Sequence, residues 1–72
     1  MESVTITFEG IEEWENSGDI VYDIIQKHTQ LERGSYPETK SLPPLIMSPP
    51  LPQECIDELK AVNGVVVRTQ QG

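Results

Sequence analysis

The chain has 72 residues, with 12 Asp and Glu against 5 Lys and Arg, giving a formal net charge of −7 and a pI near 4.4. At this length it is one domain at most, burying only about 60% of the surface its unfolded form exposes, so it must rely on near-ideal packing or on association with another chain. A single cysteine, Cys55, excludes an internal disulfide, and with one histidine, His28, there is no Cys/His set for structural zinc. No metal and no cofactor are expected.

The charge is unevenly placed. Residues 1–26 contain Glu2, Glu9, Glu12, Glu13, Glu15, Asp19 and Asp23 and no Lys or Arg, whereas from Lys27 onward Glu32, Glu38, Glu54, Asp57 and Glu58 are balanced by Lys27, Arg33, Lys40, Lys60 and Arg68. Such a field disfavours nucleic acid and anionic membrane as direct partners of the N-terminal part and favours a basic one. The start Met-Glu-Ser-Val lacks the basic and apolar segments of a secretory signal, and no apolar run approaches a membrane span, so a soluble cytoplasmic protein is expected.

In chain order, Val4, Ile6 and Phe8 alternate with Ser3, Thr5, Thr7 and Glu9, the period of a strand with one buried face, closed by Gly10. Ile11 to Gly18 is acidic and reads as a loop or a single helical turn. Ser17 or Asp19 would then cap a helix from Asp19 to about Leu31, with Ile20, Val21, Ile24, Ile25 and Leu31 on its apolar stripe and Gly34 as its stop. Residues 35–52 form a proline-rich connector; 41–52 alone hold five of the six prolines, so this stretch is polyproline-like, with at best a short edge strand at Leu45–Met47. Pro52 opens a second helix, Gln53 to about Asn63, with Cys55, Ile56, Leu59 and Val62 on one side. Val65–Val67 begins a final strand ending near Gln70, its three valines suggesting burial on both faces, and the last three residues are expected to fray. The predicted fold is a small two-layer α+β domain, residues 1–72, with both helices on one face of a small sheet.

This order resembles the C-terminal domain of the bacterial ribosomal stalk protein, whose first and last helical units are matched by Asp19–Thr29 and Gln53–Thr69. The glycine- and lysine-rich middle helix of that family is replaced here by Ser35–Lys40 and the proline run, and its basic factor-binding surface has no counterpart. Only the fold is implied.

Several residue sets are candidate sites. Glu13, Glu15, Ser17, Gly18 and Asp19 echo the first half of a calcium loop, but its twelfth place is Ile24, where a bidentate carboxylate is required. His28 and Cys55 lack the orienting group and glycine-rich turn that nucleophilic catalysis needs, so no enzyme activity is expected. Pro49-Pro-Leu-Pro52 matches ligands of proline-reading domains over only four residues, and a stiff connector laying Leu45, Ile46, Met47 and Leu51 on the core is the better reading. Trp14, flanked by Glu12, Glu13 and Glu15, either caps the core or anchors a partner inside an electrostatic rim.

The resulting expectation is a non-enzymatic binding protein: a regulator, inhibitor or accessory subunit. Its working face would be Glu9, Glu12, Glu13, Trp14, Glu15, Asp19 and Asp23, and its partner a protein with a basic surface, including a nucleic-acid-binding protein whose phosphate ligands these acids imitate. The alternative is a structural subunit that forms a homodimer or larger assembly through an exposed strand edge.

Overall fold

The alternation of residues 4–8 produces a strand whose Val4, Ile6 and Phe8 are buried while Thr5 and Thr7 are half-buried. In the computed structural model, which describes residues 1–69, the elements are β1 (Val4–Phe8), α1 (Ile11–Thr29), β2 (Ile46–Met47), α2 (Gln53–Lys60) and β3 (Val65–Thr69). The strands make an antiparallel sheet in the order β2-β1-β3. Register places Ile46 and Val67 on either side of Ile6, and Val65 beside Phe8, so apolar side chains of all three strands share one face. Val21, Tyr22 and Ile25 of α1 and Cys55, Ile56 and Leu59 of α2 pack against that face, with Tyr36, Ile46 and Leu51 completing the core. The chain is thus a small α+β domain with its helices packed against the strands, as the pattern of the sequence predicts.

The first helix begins eight residues earlier than expected, at Ile11. Asn16, Ser17 and Gly18 are weak helix formers, but two forces overrule them. Glu12 and Glu13 lie in the first turn, where the helix dipole favours acids. In addition, Gly18, Val21, Tyr22 and Ile25 are buried and Trp14 packs on the core, so the whole 19-residue helix is held by tertiary contact. Of the predicted stripe, Ile20 lies off the buried face and is exposed, and Leu31 is exposed beyond the helix's end at Thr29. Ser17 is not a cap; its hydroxyl donates to the carbonyl of Asn63. Gln30, not Gly34, closes the helix in the left-handed conformation (φ 61°), its N–H donating to Gln26 O at 2.7 Å.

The proline-rich connector is part of the sheet. From Pro44 to Leu51 it runs antiparallel to β1: Thr7 Oγ1 donates to Pro44 O, Ile46 and Met47 pair as β2, and Glu2 and Leu51 exchange backbone bonds of 2.7 and 3.0 Å. Between these, Ser48 is buried and donates its N–H to Val4 O while its hydroxyl accepts the Val4 N–H at 3.0 Å and donates to Pro49 O. A side chain thereby continues the ladder where Pro49 and Pro50 have no N–H to offer. Residues 37–39 cover the outer side of β2 through Met47 N–H to Pro37 O and Thr39 N–H to Leu45 O.

The second helix ends at Lys60, slightly short of the predicted Asn63, and Gly64 turns the chain with φ 82°. Val65, Val66 and Val67 are half-buried rather than buried on both faces, because the helices cover one face of the sheet only and β3 is its edge. Among the described residues, no strand pairs with the outer side of β3. The expected fraying of residues 70–72 lies outside the described residues.

Candidate functional site

With 3.6 residues per helical turn, Glu12, Glu15, Asp19 and Asp23 fall at spacings of three and four residues, on one face of α1. All four are exposed, on the side opposite the buried Val21 and Ile25. Glu9 lies exposed in the turn before the helix, its backbone N–H donating to Gly64 O at 2.9 Å. Glu12, Glu15, Asp19 and Asp23 thus share one exposed face of α1, and Glu9 is exposed just before its N-terminal end.

Glu13 and Trp14 turn away from them. Glu13 is half-buried and folds over two glycines: a Cβ on Gly10 would stand 2.7 Å from its Oε1, and one on Gly64 would stand 2.5 Å from its Cγ. It fastens the turn before β3 to the start of α1. Trp14 is half-buried against the core and its ring lies along Gly18, 3.5 Å from where a Cβ would be. It is not the centre of the acidic face but a wall at its margin, and its buried Nε1 has no hydrogen-bond partner of good geometry.

Beyond that margin lies a cluster that pattern reading missed. Tyr22 donates its hydroxyl to Glu38 Oε2 at 2.5 Å, Arg33 Nε stands 3.6 Å from Glu38 Oε1, and the Arg33 guanidinium carbon is 4.4 Å from the Tyr22 ring centroid. Burial, reinforced by the bond to Glu38 and that carboxylate's charge, pushes the Tyr22 hydroxyl up to about 12, with Arg33 opposing. Tyr36 is raised to about 12 for the same leading reason, its burial. Three open hollows adjoin around Arg33. One of about 520 Å³ is bounded by Asp19, Asp23, Gln26 and Glu32, one of about 240 Å³ by Trp14, Glu15, Gly18 and Asp19, and one of about 400 Å³ by Glu38 to Leu42.

The second helix differs electrostatically. Glu58 stands 3.0 Å from Lys27 Nζ and 3.2 Å from His28 Nε2, and these bases hold its carboxyl below the usual range. The last turn of α1 thus supplies partners for Glu58 of α2, while its first three turns carry acids as their only charged residues.

The other sequence candidates are resolved by placement. Glu13 and Ser17 project from one side of a regular helix and Glu15 and Asp19 from another, so they do not form a calcium loop. Among the described residues, no group of three or more His, Cys, Asp or Glu is placed to hold a metal ion. Cys55 is fully buried, and burial pushes its thiol up, away from the reactive thiolate. In the proline motif Leu51 is buried and Pro52 caps α2, so neither is free for a proline-reading groove. No helix of the described residues is long and apolar enough to cross a membrane.

No family model, no curated protein and no solved structure matches this chain. Function has to be read from α1 and its surroundings.

Proposed function

We propose that this is a binding protein, with no catalytic role of its own, that engages a basic macromolecular partner through the exposed acidic face of α1. The observation that supports this reading is the alignment of Glu12, Glu15, Asp19 and Asp23 along one exposed helix face, with no base in the chain before Lys27. Aligned like charges repel one another, a cost in compactness that a basic groove on a partner would relieve. The stripe covers 11 residues of rise, roughly 16 Å at 1.5 Å per residue, a length suited to a groove that otherwise follows a phosphate backbone. A nucleic-acid-binding protein is therefore the preferred class of partner.

Charge reversal tests this. Immobilised protein carrying Glu12→Lys/Glu15→Lys should lose the partner retained by the unsubstituted chain from an extract of its native host. Glu2→Lys/Glu54→Lys, two exposed acids elsewhere, should retain it. Glu58 is unsuitable as a control because it bridges the helices. Equal retention by both variants would reduce the acidic stripe to a solubilising surface.

A second reading rests on the unpaired outer side of β3 among the described residues, where half-exposed Val65–Val67 could pair with the same strand of another copy. Self-association that is insensitive to salt and abolished by Val66→Lys would favour it over the first.

A further inference from the structure

Gly18 sits in the interior of α1, where glycine is less favourable than alanine. Neither backbone nor packing requires it: its φ is not positive, and a Cβ would meet the Trp14 ring at 3.5 Å, an ordinary contact. Gly18 lies in the lining of an open notch of about 240 Å³, walled by Trp14 and Tyr22, rimmed by Glu15 and Asp19 and bordered by Arg33.

Two aromatic walls with carboxylates at the rim are suited to a planar cation, and guanidinium groups stack on aromatic faces better than ammonium groups do. The chain supplies its own example. Arg33 lies over Tyr22 and points at Glu38, yet the ion pair is long at 3.6 Å and the Arg33 side chain remains 51% exposed. An exposed ion pair of that length is weak, so Arg33 is held mainly by its stacking on Tyr22, a contact that an incoming guanidinium can replace in kind.

We propose that this notch is the docking point for an arginine side chain of the basic partner, and that Arg33 is an intramolecular placeholder exchanged for it on binding. The inference rests on the acidic-face reading, since Glu15 and Asp19 belong to both the stripe and the notch. A placeholder lowers apparent affinity by the fraction of time the site is free. For a contact worth 0–1 kcal/mol, its removal raises affinity about two- to sixfold.

The test uses fluorescently labelled octa-arginine and octa-lysine at about 0.15 M salt, where long-range attraction is largely screened. Octa-arginine is expected to bind more tightly than octa-lysine and to shift the indole N–H resonance of Trp14, the single tryptophan. Gly18→Ala should weaken octa-arginine binding several-fold while the melting temperature stays level or rises. Arg33→Ser should tighten it about two- to sixfold, beyond the effect of Arg68→Ser, which removes the same charge from an exposed position on β3. If octa-arginine binds but Gly18→Ala changes nothing, the Trp14 resonance stays fixed, or Arg33→Ser and Arg68→Ser act alike, the notch proposal is overturned and the acidic face stands. If neither peptide binds, the acidic-face reading falls and takes the notch with it.

Discussion

Tyr22 and Tyr36, the two tyrosines of the chain, both lose solvent on folding and both favour the neutral phenol, with values raised to about 12. A group whose folded value lies above its unfolded one stabilises the fold below the unfolded value, and that contribution is lost as pH rises through the folded one. The contribution of these two rings should therefore be flat to about pH 10 and fall between about 10 and 12, beyond the loss that the raised Cys55 thiol adds from about pH 9 upward. Absorbance near 295 nm should show no phenolate forming near pH 10 in the folded protein; half the signal appearing there would contradict the burial of one ring. Ser48 makes a second prediction. Its hydroxyl is the acceptor for Val4 N–H at the end of β1, so Ser48→Ala leaves a buried donor unmet and should cost about 1–3 kcal/mol in chemical denaturation. No loss would mean that water replaces the hydroxyl.

At the scale of elements, α2 is held to the core through a short apolar side. Leu59 is fully buried between the helices and the sheet, and Leu59→Ala should cost about 2–5 kcal/mol, a large share of what a domain this small can have. An unchanged melting curve would remove Leu59 from the core. The two positive-φ glycines should separate cleanly. Gly34→Ala meets nothing within 4 Å and bears backbone strain alone, whereas Gly64→Ala also drives a methyl into Glu13. Both should destabilise by about 1 kcal/mol or more from strain, and Gly64→Ala should be clearly the worse in thermal denaturation.

These elements also show what sequence patterning could and could not reveal. The strand at 4–8 and the helix from Gln53 were legible because their apolar spacing matches their burial, whereas the short strand near Leu45–Met47 stayed one of two readings because consecutive apolar residues among prolines show no alternation. The start of α1 was not, because Asn16-Ser17-Gly18 is locally a poor helix and is held by Trp14, Val21 and Tyr22 on the core, a contact between distant residues. The acidic stripe was legible as charge, but its phase was not. Only a helix starting at Ile11 sends Glu13 inward and Trp14 to the margin. The meeting of Tyr22, Arg33 and Glu38 depends on how residues 31–38 fold back over α1, which no local pattern encodes.

For the molecule as a whole, the accessible surface is 4561 Å², close to the roughly 4,500 Å² expected of a folded monomer of this mass. The radius of gyration of 10.9 Å likewise matches the roughly 11 Å of a compact chain this long. Both values are those of a compactly folded chain, and a concentration-dependent mass in sedimentation would favour pairing of copies through β3. Trp14→Ala is a poor probe of binding, since Trp14 packs on the core and its loss would lower stability as well. The binding claim is best read from rates. Complementary charge acts mainly on association, and its effect is screened by salt. The direct measurement is the association rate of the captured partner with the unsubstituted chain and with Glu12→Lys/Glu15→Lys, at about 0.05 and 0.3 M salt. The expected result is a rate for the unsubstituted chain that falls about tenfold or more over that range, and a lower, nearly salt-independent rate for the variant. Rates that do not change with salt, or that are the same for both chains, would contradict an acidic binding face on α1.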